Sequence, residues 1–243
     1  MSDVARYLPL SQNPREDESG VSSDWSKQLS GVLNSLAAAV DGLSVDELDA
    51  ASLQPGYRVR DVLGHTAWHL GTPRRARAKA LLRQMAVGRQ TPAAARRALS
   101  VDAARATAAD PTPSPAGGLR ALAAAAAAPG TRSTIADLSV VVVDALDVAR
   151  STGRTIPIDG LSTGAVALAR SLSAPTPIRA VVRQRTLTAS DAGWTVGTGR
   201  ELRGSAAAIV LFLWGRADIP HDAQPHDAQP HNDGSHDAEL PDA

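Results

Sequence analysis

From Asp24 onward apolar residues recur at threes and fours: Trp25, Leu29, Val32, Leu33, Leu36 and Val40. That spacing predicts an amphipathic helix. Ser44 and Glu47 have the S-x-x-E form of a capping box, which opens a short turn ending near Ser52. Leu53-Gln-Pro-Gly-Tyr then predicts a Pro-Gly turn running into a second helix, with Val59, Val62, Leu63 and Trp68 toward its core. Pro73 to Arg89 is strongly basic, with Leu81, Leu82 and Met85 on an apolar side; it reads as a solvated helix face, with a nucleic-acid patch as the lesser alternative. Thr91 to Ala109 predicts an Ala/Arg helix, broken by Pro111-Thr-Pro-Ser-Pro. The Ala run from Ala121 to Ala128 has high helix propensity but little to bury, so loosely specified packing is expected of it. A long helix from about Ser133 to Thr152 ends at Gly153, a suitable C-cap.

Beyond Gly153 the texture changes. Leu161 to Leu172 predicts a further helix, Ile178 to Thr188 a strand rich in Val and Thr, and Trp194-Thr-Val-Gly-Thr-Gly a short strand entering a turn. Glu201-Leu-Arg-Gly and an apolar helix from Ser205 to Trp214 complete a small α/β unit. The expected organisation is a flexible arm over 1–22, a helical domain over 23–155, a small α/β domain over 156–217 and a disordered tail over 218–243. The tail carries an imperfect repeat, His221-Asp-Ala-Gln-Pro, His226-Asp-Ala-Gln-Pro, His231-Asn-Asp-Gly-Ser, His236-Asp. Five extended residues span about 17 Å, too far for successive histidines to share an ion unless the chain folds back.

Composition narrows the function. The 243 residues hold 25 Lys+Arg against 25 Asp+Glu, and this neutrality argues against a nucleic-acid partner, which demands a clustered cationic surplus. There is no cysteine, so no protein thiol nucleophile, disulfide or thiolate metal site exists. Hydrophobic residues reach 43% but aromatics only 3%, so the core must be built from Ala, Val and Leu. The strongest apolar run, Ala206 to Trp214, is about half the roughly 20 residues a bilayer helix requires, and no membrane partner is expected. The opening Met-Ser-Asp-Val lacks the pattern of a signal peptide, giving the expectation of a cytoplasmic protein.

Two constellations carry candidate chemistry. Asp61, His65 and His69 stand at i, i+4 and i+8, a fan of about 80° on one helix face, so that Asp61 could orient His65 from the turn before while the imidazoles meet a common ligand. They read equally as satisfied or solvent-facing side chains. On the long helix, Val140, Asp144 and Asp147 share a face, and carboxylates beside Val140-Val-Val-Val need a cation, a donor or water. Asp147 also stands three residues before Arg150, a surface pairing distance.

The segment Ser52-Leu53-x-Pro55-Gly56-Tyr57-x-Val59-Arg60-Asp61-Val62-Leu63-x-His65 resembles the opening motif of the mycothiol-dependent maleylpyruvate isomerase family. Asp147-Val-Ala-Arg-Ser-Thr-Gly153 resembles that family's second motif. Trp194-x-Val-Gly-x-Gly, Glu201-Leu-Arg-Gly204, Ala206-Ala-Ala and Leu213-Trp-Gly-Arg216 resemble its C-terminal domain, so the likeness spans about residues 25 to 216. It implies a fold of α plus small α/β class: a DinB-like up-down four-helix bundle, then a sterol-carrier-like α/β domain. It also implies a divalent metal, usually zinc, held by a His of the second helix and by Glu and His of the last long helix. His65 falls on the first ligand position. The second motif normally reads E-x-x-x-H-x-x-D, and this chain has Val140, Asp144 and Asp147 there. Val140 ligates nothing, which leaves His65 and Asp144 as candidate metal ligands, joined by His69 or Asp147 only if one of them swings in, where a catalytic zinc generally has three.

By this resemblance the chain is an isomerase or transferase in which zinc-bound mycothiol adds to a small electrophile, permits rotation about the new single bond and is eliminated. Arg216 is then the candidate catalytic residue, binding a substrate carboxylate, or else it closes the C-terminus of its helix. The alternative is a non-catalytic family member with a degenerate metal site, acting as a ligand-binding or regulatory module.

Overall fold

The computed structural model describes residues 24–88 and 114–220, with positions 91, 94–95, 98–99, 101–102 and 105–106 between them. The N-terminal arm, most of the Thr91 to Ala109 helix and the histidine tail lie outside the described residues. Nine helices and three strands are present among the described residues: α1 (Ser26–Val40), α2 (Val45–Asp49), α3 (Val59–Gly71), α4 (Arg74–Gly88), α5 (Pro115–Ala127), α6 (Ile135–Thr152), α7 (Gly160–Ser173), α8 (Thr176–Gln184), β1 (Arg185–Ala189), β2 (Thr195–Gly197), β3 (Arg200–Gly204) and α9 (Ala206–Leu213).

The predicted periodicities become burial. Leu29, Val32, Leu33, Leu36, Ala37 and Val40 of α1 are all buried, and the expected box at α2 forms, with Ser44 Oγ accepting from the Glu47 N–H and the Glu47 carboxylate accepting from the Ser44 N–H. Helices α1, α3, α5 and α6 pack against one another around this apolar face. Of the alanine run in α5, Ala123 and Ala126 are buried while Ala121, Ala124, Ala125 and Ala127 face solvent. Ala116, Leu119, Ala123 and Ala126 are buried in register against α1, because small side chains let two helix backbones approach closely. Ser114 and Thr134 cap α5 and α6 through their hydroxyls, and Gly153 closes α6 in the left-handed conformation.

The remainder forms a mixed sheet of order β2-β1-β3, with β1 antiparallel to β2 and parallel to β3. The strand expected over Ile178 to Thr188 is corrected here: Thr176–Gln184 is helical, and only Arg185–Ala189 is extended. Pro177 sits in the first helical turn, where its missing N–H costs nothing, and Ile178, Val181 and Val182 repeat at helical spacing, which outweighs their modest β-branched penalty. Gly197 lies at φ +95°, and a Cβ there would come within 2.3 Å of the Arg185 carbonyl oxygen, so the backbone contact at this corner leaves room for glycine alone. Helix α7 bears on this unit through Gly164, against the Trp194 ring, and through Thr163, whose hydroxyl accepts from Trp194 Nε1 at 3.0 Å. Helices α7 and α9 in turn pack on α6, and the apolar cluster runs continuously from Leu29 to Leu213. No described helix is long and apolar enough to cross a membrane.

Candidate functional site

Where α6 faces α3 and the C-terminal end of α9, the apolar interior gives way to charge. Asp144 and Asp147 are one helical turn apart on α6 and are 1% and 0% exposed. Bare carboxylates at such depth would cost several kcal/mol, so their partners decide whether the fold is stable.

Arg216 supplies the main partner. It is 13% exposed and bridges both acids, with Nη2 donating to Asp144 Oδ1 at 2.9 Å and Nη1 to Asp147 Oδ2 at 2.8 Å. Its position follows from the way α9 ends. The Gly215 N–H donates to the Phe212 carbonyl at 2.8 Å, and the Arg216 N–H to the Leu211 carbonyl at 2.9 Å, with Gly215 at φ +69°. This paired closure with a left-handed glycine is a Schellman motif, which reverses the chain and directs Arg216 back into the bundle. Arg216 therefore stands beyond the helix end as an internal counter-ion, with both terminal nitrogens engaged.

Further donors satisfy the rest. Asp144 Oδ2 accepts from Thr66 Oγ1 at 2.8 Å and pairs with His65 Nδ1 at 2.8 Å. Burial alone would raise the Asp144 pKa, but His65, Arg216 and Thr66 outweigh it and hold the carboxyl down to about 2. An ionised Asp144 only accepts, so the His65 proton lies on Nδ1. Asp147 accepts from Ser52 Oγ at 3.1 Å, the Leu53 N–H at 3.0 Å and Ser151 Oγ at 3.1 Å. Its partner is thus Arg216, 69 positions away, and not Arg150.

Asp61 does not orient His65. Its carboxylate accepts from the Arg58 N–H at 3.0 Å, so it closes the first turn of α3, as an acidic residue three positions into a helix does. His69 is separate from the buried acids as well: Nε2 meets Asp137 Oδ1 at 3.3 Å, while its ring centroid lies 6.1 Å from that of His65. Burial, then the charges of Arg77 and His65, push the His69 pKa down to about 4, so it is neutral at physiological pH. Of the arginines expected on a solvated face of α4, Arg74 is exposed there and Arg77 is half-buried, and both bond to neighbouring segments. Arg74 reaches Thr134 and Asp137 at 2.6 and 3.3 Å, and Arg77 donates to the His69 carbonyl.

As they stand, these residues do not fit a zinc ion. Zinc draws nitrogen and oxygen lone pairs to one point about 2.0 to 2.2 Å away, whereas here His65 Nδ1 and Asp144 Oδ2 are bonded to each other across a proton, so the two do not share an ion through those atoms and only His65 Nε2 is left to ligate. The second Asp144 oxygen is taken by a guanidinium, so the cationic charge is already supplied. Val140 offers nothing, and among the described residues no three His, Asp or Glu side chains converge as ligands. What the arrangement does chemically is fix three remote segments, Ser52-Leu53, His65-Thr66 and Arg216, on one face of α6.

Sequence reasoning singled out His65, Asp144, Asp147 and Arg216, in other roles, and missed Ser52, Leu53, Thr66 and Ser151 as their partners. Ser151 alone left a local signal, standing four residues after Asp147 on the same helix face. Compared with family models, with curated proteins and with solved structures, the chain has no match.

Proposed function

We propose that this protein is a metal-independent relative of the mycothiol-dependent maleylpyruvate isomerases, built as a DinB-like bundle with a sterol-carrier-like C-terminal unit, and that it works as a ligand-binding module. The observation that carries this reading is the engagement of both carboxylates by Arg216, which supplies internally the positive charge that a zinc ion would bring. Its support extends to the motifs: Ser52-Leu53 of the first, Asp147 of the second and Arg216 of the last meet around one carboxylate, a reason for their order that is independent of metal. Thiol addition assisted by zinc is the reading it displaces, since both Arg216 terminal nitrogens are engaged by the chain's own buried carboxylates.

Zinc stoichiometry tests the proposal. The full chain carrying His221→Ala, His226→Ala, His231→Ala and His236→Ala, purified without an affinity tag and dialysed against zinc, retains none by elemental analysis. One equivalent of zinc, lost on the further change His65→Ala, would overturn it.

A further inference from the structure

Apart from the buried acids, a cleft of about 270 Å³, lined in part by His69, opens between α1, α3, α4, α5 and the start of α6. Its floor is apolar, formed by Leu29, Leu70, Leu122 and Ala126, while Arg74, Arg77 and Arg132 stand around it against a single lining carboxylate, Asp137. That carboxylate is committed. One oxygen accepts from the Thr134 N–H and hydroxyl at 3.1 and 2.6 Å and from Arg74, and the other meets His69. Arg77 donates its Nη1 to a neutral carbonyl, and Asp137, whose charge acts on it, is not hydrogen-bonded to it; Arg132 likewise has the charge of Asp24 near it. The start of α6 adds the positive end of an 18-residue helix on the same side. Burial and Arg77 together leave His69 uncharged, so it lines the cleft as a neutral ring.

An apolar floor under a cationic rim selects an amphipathic anion. The volume lies just below the usual range for small-molecule pockets, which suits a short carboxylic acid. Inorganic phosphate would leave the floor uncovered, and an uncharged alkane would leave the guanidinium groups without an acceptor. We infer that this cleft binds a small monocarboxylate with an apolar body of about five or six carbons, its carboxylate received by Arg77 and Arg132 and its body lying on Leu29, Leu70 and Leu122. The inference builds on the ligand-binding reading, but it uses none of the residues of the Asp144 centre and stands whether or not that centre takes zinc.

Hexanoate titrated into the full-length protein by calorimetry is the test, with hexanol, acetate and phosphate as separate probes. Saturable 1:1 binding of hexanoate is expected, with hexanol and acetate each at least about tenfold weaker, since each lacks one half of the recognition. Arg132→Gln, on the exposed loop before α6, and Arg77→Gln each weaken hexanoate about tenfold, while Arg83→Gln on α4 leaves it unchanged. Phosphate binding as tightly as hexanoate would mean an anion site without an apolar half and would overturn the inference. So would equal hexanoate affinity in wild type, Arg132→Gln and Arg77→Gln, or absence of saturable binding. Because Arg132 is solvent-exposed, its variant keeps the question decidable even if loss of the Arg77 bond to the His69 carbonyl loosens the α3–α4 corner.

Discussion

Two seams of the bundle solve the problem of joining helices in opposite ways. Between α1 and α5 the contact is dry, made by Leu33, Leu36 and Ala37 on one side and Leu119, Ala123 and Ala126 on the other. Between α3 and α6 it is ionic, with two buried carboxylates, a guanidinium and a set of neutral donors drawn from four parts of the chain. The dry seam gains from every ångström of apolar surface removed from water and is indifferent to which small side chain fits. The ionic seam gains little net energy, because desolvation offsets attraction, but losing any one member is expensive. Its consequence is positional: Arg216 satisfies Asp144 and Asp147 only when α9 ends over that turn of α6.

The largest expected effect comes from breaking the ionic seam by removing its cation. Arg216→Leu should cost about 3 to 5 kcal/mol in urea unfolding, since two buried carboxylates lose their counter-ion. Adding Asp144→Asn and Asp147→Asn to it should return much of that loss. A single variant within about 1 kcal/mol of wild type would mean that the neutral donors suffice. In the dry seam Leu33→Ala should cost about 2 to 4 kcal/mol through the cavity it leaves, and that cost should be the same at pH 7 and pH 3, where the ionic seam differs.

Acid separates the two seams more finely. Asp144 has a folded pKa of about 2, below its value in the unfolded chain, so its contribution is fully present above about pH 4 and is lost as the pH falls toward 2. His69, lowered to about 4 by burial and Arg77, resists protonation in the folded state, so stability also falls as the pH drops from about 6.5 toward 4. Unfolding midpoints measured from pH 7 to pH 2 should therefore decline in two steps, with Asp144→Asn flattening the lower step and His69→Phe the upper. An unchanged profile in both variants would contradict this assignment. The smallest effect belongs to the dry seam's entrance, where Ser114→Ala removes the hydroxyl that accepts from the Gly117 N–H at 3.2 Å and should cost about 1 kcal/mol.

Legibility differed between the seams for a physical reason. Helix α1 could be read residue by residue because burial follows spacing, and α6 because its cap, its apolar run and Gly153 lie in order along the chain. Helix α8 was misread because Val and Ile serve strands and helices alike, and only the docking of Val182 and the turn at Gly197 select the helix. For the candidate site, residue types drew attention to His65, Asp144 and Arg216, yet Asp61 turned out to close a helix and Thr66 to hold an acid.

By itself, then, the sequence determined the helices of the bundle, their capped ends, the apolar faces they turn inward and the presence of acids on a buried face. Local spacing sets each of these. Only the tertiary structure decided what neutralises those acids. Arg216 stands 72 positions from Asp144, and Leu53 contributes a backbone N–H 94 positions from Asp147. A backbone donor has no residue identity to read, and a distant guanidinium becomes a counter-ion only once a left-handed glycine has turned the chain toward it.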